Sequence, residues 1–341
     1  MTVVILCRAV IASLPPAIEV DDLVKSYGEV DAVRGVSFTV PPGEVFGFLG
    51  PNGAGKSTTI NVLCTLARPT SGAARVSGFD VVTQRDDVRR HLGLVFQDPT
   101  LDVQLTAEQN LQFHAELYGI DPGVIPARMD QMLAMVDLAD RRDHRVITFS
   151  GGMKRRLEIA RGLMHSPRVL FLDEPTIGLD PQTRSSIWSY IRALQEAEGT
   201  TIFMTTHYMD EAELCDRIAI IDRGEIVVLD TPEALKAGVG ADRVVLGTAD
   251  DDAALAALRD RFGIEAAVAE GAVTFHVENG EAFVPRLFAE LGVAITSVAV
   301  SRPTLDDVFM RYTGSTIRDA ETGGVADQNR AMMRAMAGAK R

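Results

Sequence analysis

The chain has 341 residues and a formal charge of −13, from 34 Lys and Arg against 47 Asp and Glu. Apolar residues make up 46% and charged residues 24%, which excludes disorder as the main state, because enough apolar surface exists to offset the chain entropy lost on folding. No run of 18 apolar residues occurs, so no membrane span is expected, and the acidic balance disfavours a nucleic acid partner. At about 150 residues per domain, the length predicts two domains and a stub. Cys7, Cys64 and Cys215 form no C-x-x-C pair, a usage that suits a reducing cytosol.

The opening MTVVILCRAVIASLPP is apolar but broken by Arg8, with no positive charge before it. It predicts an N-terminal extension over residues 1–16 rather than a signal peptide. The first strand is expected over Ile18–Lys25. Short apolar runs at Glu44–Leu49, Val169–Asp173 and Thr201–Thr206 read as buried strands, and helical patterns between them point to a parallel α/β sheet. Thr106 and Gln109 have capping-box spacing, and Met129, Met132, Leu133 and Val136 recur with helical period, so a helical insertion is expected over about residues 99–165. Ile218–Asp230 reads as a hairpin turning at Arg223-Gly224.

Beyond residue 238 the texture changes. A strand at Arg243–Thr248, a helix with Leu255, Leu258 and Phe262 on one face, strands near Ile264–Glu270 and Val273–Val277, a helix carrying Phe283, Leu287, Phe288 and Leu291, and a strand at Val293–Ser301 give the order βαββαβ. That is the ferredoxin-like pattern, placed in a small domain over residues 239–314. His276 alternates with apolar neighbours and reads as a strand-face residue. Residues 315–341 read as a tail, either frayed or a Met-rich helix that docks on a partner.

Three motifs carry chemistry. Gly50–Thr58 reads GPNGAGKST, a G-x-x-x-x-G-K-[ST] loop directly after a strand. Its Gly50, Gly53 and Gly55 let backbone N–H groups from Asn52 to Ser57, Ala54 among them, curl about a phosphate chain after Pro51; Lys56 reaches β- and γ-phosphates, and Ser57, beside Thr58, offers an oxygen to Mg²⁺. VLFLDE supplies Asp173 for the metal and Glu174 as acceptor of a proton from an attacking water. Ser150-Gly151-Gly152 opens a helix carrying Met153, Leu157, Ala160 and Met164, a second candidate anion site at a helix N-terminus. Gln97 after LGLVF can sense the metal or the attacking water, or be a surface glutamine. His207 after TIFMTT can contact the γ-phosphate, or be structural.

The order GPNGAGKST, Gln97, FSGGMKRRLEIARGL, VLFLDEPTIGLD and His207 resembles that of ATP-binding cassette (ABC) proteins over about Ile18 to Pro232. The resemblance implies a P-loop NTPase cassette over residues 17–238, with ATP and Mg²⁺ as cofactors. It also implies a homodimer packed head to tail, so that each ATP lies between the Lys56 loop of one subunit and Ser150–Gly152 of the other. Tyr27 would then stack on adenine, and Asp180 would lie at the dimer seam. Phe149 and Met153 replace the Leu and Gln of the usual LSGGQ. RPTLDDVFMRYTG, Arg302–Gly314, with the domain before it, resembles the C-terminal extension of daunorubicin-resistance-type ABC ATPases, which energise export through a separate membrane subunit. That implies a membrane-spanning permease partner and a peripheral place on the cytoplasmic side of the membrane. A soluble ABC ATPase of translation or DNA repair is the alternative, although it usually carries two cassettes or an inserted coiled coil. A P-loop kinase leaves the Ser-Gly-Gly helix unexplained.

Overall fold

The computed structural model describes residues 15–269 and 272–314; Cys7, residues 1–14 and the tail after Gly314 lie outside them. The described chain divides into two compact units, 15–229 and 230–314.

The first unit runs β1 (Ile18–Tyr27), β2 (Val30–Val40), β3 (Val45–Leu49), α1 (Lys56–Leu63), β4 (Ser71–Val76), β5 (Phe79–Asp80), α2 (Arg85–His91) and β6 (Leu92–Val95). It continues with α3 (Ala107–Leu117), α4 (Ile125–Met135), α5 (Gly151–Gly162), β7 (Val169–Asp173), α6 (Pro181–Glu198), β8 (Thr201–Thr206), α7 (Met209–Ala212), β9 (Arg217–Asp222) and β10 (Glu225–Asp230). The six-stranded sheet has the order β10-β9-β3-β8-β7-β6, and β3, β8, β7, β6 and β9 pair in parallel. Every residue of β3, β7 and β8 is buried. Covered faces explain why these strands read as unbroken apolar runs. The connection from β9 to β10 turns at Arg223 and Gly224, both at positive φ (48° and 84°), the twist a two-residue hairpin needs.

Residues 30–40, unassigned from sequence, form β2, whose Val36, Phe38 and Val40 alternate inward with exposed neighbours. It belongs to a second sheet, β2-β1-β4-β5, antiparallel throughout. Phe38 of this sheet stacks on Phe46 at 5.5 Å, and Phe46 on Phe203 at 5.6 Å. These rings share a buried core with Phe48 and Phe171. Offset aromatic pairs of this kind add about 0.5–1.5 kcal/mol each beyond area burial. The two sheets are thus welded beneath the loop that follows β3.

Between β6 and β7 lie α3, α4 and α5. Thr106 and Gln109 form a reciprocal capping box at the start of α3, and α4 buries Ile125, Met129, Met132 and Leu133. Cys64 and Cys215 are buried free thiols, and burial pushes both of their pKa values up.

The second unit contains α8 (Pro232–Val239), β11 (Asp242–Thr248), α9 (Asp251–Ala257), β12 (Ala266–Ala269), β13 (Ala272–Val277), α10 (Gly280–Glu290), β14 (Ile295–Ser301) and α11 (Leu305–Thr313). Its sheet order β12-β13-β11-β14, with every pairing antiparallel, is the ferredoxin-like arrangement. Leu258, Phe275, Leu287 and Leu291 fill the core. Phe288 is 55% exposed, because one residue past Leu287 turns about 100° away from the buried face of α10. His276 is an exposed strand residue opposite Arg243.

Candidate functional site

The centre of the site lies where β3, β7 and β8 end together. After Leu49 the loop Gly50–Gly55 leads into α1, with Asn52 and Gly53 exposed and Gly50, Pro51, Ala54 and Gly55 buried. Gly55 is the N-cap of α1 at φ 107°. A Cβ there would sit 2.4 Å from the Ala32 carbonyl oxygen, so only glycine fits. This is the geometry that exposes N–H groups and the positive end of a helix dipole to an anion.

Lys56, 4% exposed, donates to Gly50 O at 2.8 Å and Pro51 O at 3.1 Å, and its Nζ lies 3.2 Å from Glu174 Oε1. Ser57 donates to Asp173 Oδ1 at 3.2 Å. His207 Nδ1 stands 3.5 Å from Glu174 Oε1, at ion-pair rather than hydrogen-bond distance, without a hydrogen-bond partner of its own. Lys56, Ser57, Asp173, Glu174 and His207 are therefore brought together as the motifs predict. Glu174 sits at φ 45°, the left-handed region, a strain of about 1–3 kcal/mol that persists only where surrounding bonds over-determine it. Burial pushes its carboxyl up, but His207 and the Lys56 ammonium outweigh this and hold it below the usual carboxylate range. The site thus keeps an ionised carboxylate beside a cation and an imidazole, a set suited to taking a proton from water next to a phosphate.

The sequence gives no direct sign of the residues that hold this centre. Thr205, fully buried in β8, donates to Asp173 Oδ1 at 2.5 Å and accepts from the Glu174 N–H at 3.0 Å. One hydroxyl fixes both acids; its only signal is a polar residue at the end of an apolar strand. Glu211, 1% exposed, accepts from Thr206 at 2.6 Å and from Thr176. Burial raises its pKa, with both threonine hydroxyls opposing.

The remaining predicted residues lie around this centre. Ser150 caps α5, its Oγ accepting from Met153 N at 3.2 Å, and Ser150 and Gly151 are exposed. A Cβ on Gly152 would meet Thr183 Cγ2 at 2.5 Å, so the first turn of α5 abuts the start of α6. Asp180 caps α6 there, accepting from Thr183 N at 3.0 Å and Thr183 Oγ1 at 2.7 Å. Those two bonds lower its pKa. Gln97 is exposed and borders a cavity of about 320 Å³ with Gly151, Arg155, Glu158 and Leu179. Tyr27 closes β1 with its ring 51% exposed and Lys25 Nζ 4.6 Å from the ring centroid. Thr58 is half-buried in α1.

A larger cavity, about 900 Å³, opens beside α3, lined by Phe96, Leu105, Phe113, Leu117, Tyr118 and Arg161 among others. Phe113 and Leu117 are 64% and 70% exposed. His114, Tyr118 and His165 stack along it, with Tyr118 and His165 centroids 3.9 Å apart. Burial, then the charge of Arg161, lowers the His114 pKa to about 3.

Known proteins resemble this chain in sequence and in fold. Residues 33–177 match the ABC transporter family, and residues 231–313 match the family described as ATP-binding protein DrrA1-3-like, C-terminal domain. The daunorubicin resistance ATP-binding protein DrrA3 of Streptomyces coeruleorubidus is 42% identical over 89% of this chain and 98% of that protein. The linearmycin resistance ATP-binding protein LnrL of Bacillus subtilis (strain 168) is 37% identical over 89% of this chain and 100% of that protein. Among solved structures, cbiO1 of Clostridium perfringens, part of the ABC transporter complex cbiONQ, superposes with TM-score 0.62 at 30% identity, over 65% of this chain and 91% of that one. The ATP-binding cassette MJ0796, in a dimeric post-hydrolysis state bound to ADP and Pi, gives TM-score 0.57 at 28% identity, over 63% of this chain and 98% of that one.

Proposed function

We propose how this chain works from one premise: it belongs to the ATP-binding subunits of ABC transporters, in the group that includes the daunorubicin-resistance proteins. It is an ATPase that binds nucleotide and energises an exporter. The reading is carried by one observation, the ionised Glu174 held between Lys56 and His207 at the mouth of the P-loop.

The loop Gly50–Thr58 cradles the phosphates, Lys56 offers its ammonium to the β- and γ-phosphates, and Tyr27 gives adenine an aromatic face. Ser57 and Asp173 present oxygen donors 3.2 Å apart, an all-oxygen set that fits Mg²⁺. Among the described residues no three His, Cys, Asp or Glu groups converge on a metal, as suits an ion that draws its other ligands from phosphate and water. Bound there, Mg²⁺ would neutralise charge on the β- and γ-phosphates. Glu174 accepts a proton as the water oxygen bonds to the γ-phosphorus and the bond to the ADP oxygen breaks, leaving ADP and phosphate. His207 orients Glu174 and faces the γ-phosphate, and Gln97 positions the attacking water and would reach the water shell of a bound Mg²⁺.

Ser150 and Gly151 face solvent in one chain, and with Gly152 they find their use in a second copy. The dimer places this helix end on the partner's γ-phosphate, with Asp180 at the seam. The groove beside α3 receives a cytoplasmic segment of a membrane-spanning permease subunit, since exposed Phe113 and Leu117 offer it an apolar seat. Among the described residues no helix is long and apolar enough to cross a membrane, so the transport path belongs to that partner, and this chain works peripherally on the cytoplasmic face. The cargo is a drug-like small molecule, as the names of the resistance relatives suggest. The domain division proposed from sequence, 17–238 and 239–314, assigns ATP chemistry to the first part and an accessory role to the second.

The Glu174→Gln variant tests the core of this reading. It keeps the side chain's size, so MgATP binding should persist and a closed dimer should accumulate, while hydrolysis falls about 10²- to 10⁴-fold. Hydrolysis near the wild-type rate would overturn the role of Glu174.

A further inference from the structure

Arg155 lies five residues beyond Ser150, about 7.5 Å along the axis of α5. It is 7% exposed and none of the sequence motifs assigns it a role. Its Nε donates to Pro175 O at 2.6 Å and its Nη2 to Asp173 O at 3.1 Å. Its Nη1 donates to Phe96 O at 2.5 Å and to Glu158 Oε2 at 3.1 Å. Two of these carbonyls flank Glu174, the residue held at φ 45°, and the third immediately precedes Gln97. Glu158 in turn accepts from Thr100 N at 2.6 Å, and Arg161 donates to Thr100 O at 2.9 Å. A single guanidinium thus binds the helix whose N-terminus is Ser150 to both sides of Glu174 and to the Gln97 loop.

We propose that Arg155 is the positioning residue through which the two ATP sites of a dimer act on one another. The proposal rests on the composite-site reading above. In that dimer α5 serves the partner's ATP, whereas Glu174 and Gln97 serve the chain's own. A shift of α5 as its N-terminus engages the partner's γ-phosphate is carried by Arg155 to the peptide groups around Glu174; otherwise it breaks the charge-assisted bonds that the guanidinium makes. Lysine cannot replace the fork, because an ammonium presents no planar array of donors to four separate acceptors.

The test is the ATP dependence of hydrolysis by the full chain, for wild type, Arg155→Lys, Glu158→Gln and Ser150→Arg. Wild type should be sigmoidal, with a Hill coefficient approaching about two for two coupled sites. Arg155→Lys should become hyperbolic and lose about 10- to 100-fold in kcat, the cost of displacing a catalytic group by about 1 Å. Its affinity for a fluorescent ATP analogue should stay at the wild-type value, because the Lys56 loop is untouched. Glu158→Gln, which loosens one of the four contacts, should move both readouts the same way by less. Either folded variant with wild-type kcat and sigmoidicity overturns the proposal. So does a loss of activity that only tracks lost nucleotide affinity and a lowered Tm. Ser150→Arg separates the two levels: if it leaves hydrolysis intact, the composite site itself fails. If it abolishes hydrolysis while Arg155→Lys stays sigmoidal, only the role of Arg155 fails.

Discussion

The two regions assigned above to phosphate are built in opposite ways. Around Lys56, Asp173 and Glu174 the polar groups are buried and tied to neighbours: Lys56 to two carbonyls and a carboxylate, Asp173 to Ser57 and Thr205, Glu174 N–H to Thr205. At Ser150 and Gly151 the helix end is exposed, and the Ser150 hydroxyl is spent on its own capping bond. One region is organised before any ligand arrives, as electrostatic catalysis requires. The other is an open helix N-terminus that a phosphate on a second chain can complete. On the reading proposed above these are a finished and an unfinished half of an ATP site, with Arg155 between them.

Breaking the finished half should produce the largest effects. Lys56→Ala removes the ammonium from the phosphates and should weaken MgATP binding about 10- to 100-fold, measured by titration of a fluorescent analogue. Unchanged affinity would move the phosphate site away from this loop. Thr205→Val is a finer cut. It leaves the Glu174 N–H without its partner and removes one of the two donors to Asp173 Oδ1, costing about 1–3 kcal/mol, so Tm should drop and kcat should fall about tenfold while ATP affinity stays near wild type. An unaltered kcat would show that Thr205 supports the fold and not the acids. The smallest effect belongs to the groove beside α3. His114 has its pKa lowered to about 3, so the unfolded chain binds this proton at higher pH than the folded one. Its contribution to stability is present above about pH 6.5, the unfolded value. It is lost as pH falls toward 3. His114→Gln should remove part of that slope in acid unfolding curves, and an identical curve would refute it.

The finished half was legible because its chemistry is local in sequence. Strands covered on both faces leave unbroken apolar runs, which is why Val45–Leu49, Val169–Asp173 and Thr201–Thr206 stand where expected. The capping box at Thr106 and Gln109 is a four-residue signal, and the βαββαβ order survives in the second unit. Contacts made across the fold left fainter marks. Arg155 sits in a KRR run that looks like a solvated face, and only its i, i+3 pairing with Glu158 hints at burial. Thr205 resembles any strand threonine until β8 is laid beside β7. The positive φ of Glu174 has no sequence signature, since glutamate gains nothing from it alone. Leu287 and Phe288 are equally apolar in sequence, and only the packed helix shows that the first is buried and the second exposed.

The central claim is that each ATP site takes its Lys56 from one chain and its Ser150 from the other. It is tested most directly by MgATP retained on heterodimers made in the Glu174→Gln background. In one heterodimer Lys56→Ala and Ser150→Arg lie on different chains; in the second they lie on the same chain, opposite an otherwise unaltered partner. A composite site predicts that the first heterodimer retains ATP, because both changes fall on one site and spare the other, and that the second retains none. Retention by the second heterodimer and loss by the first would mean that each chain completes its own site, and would contradict the account.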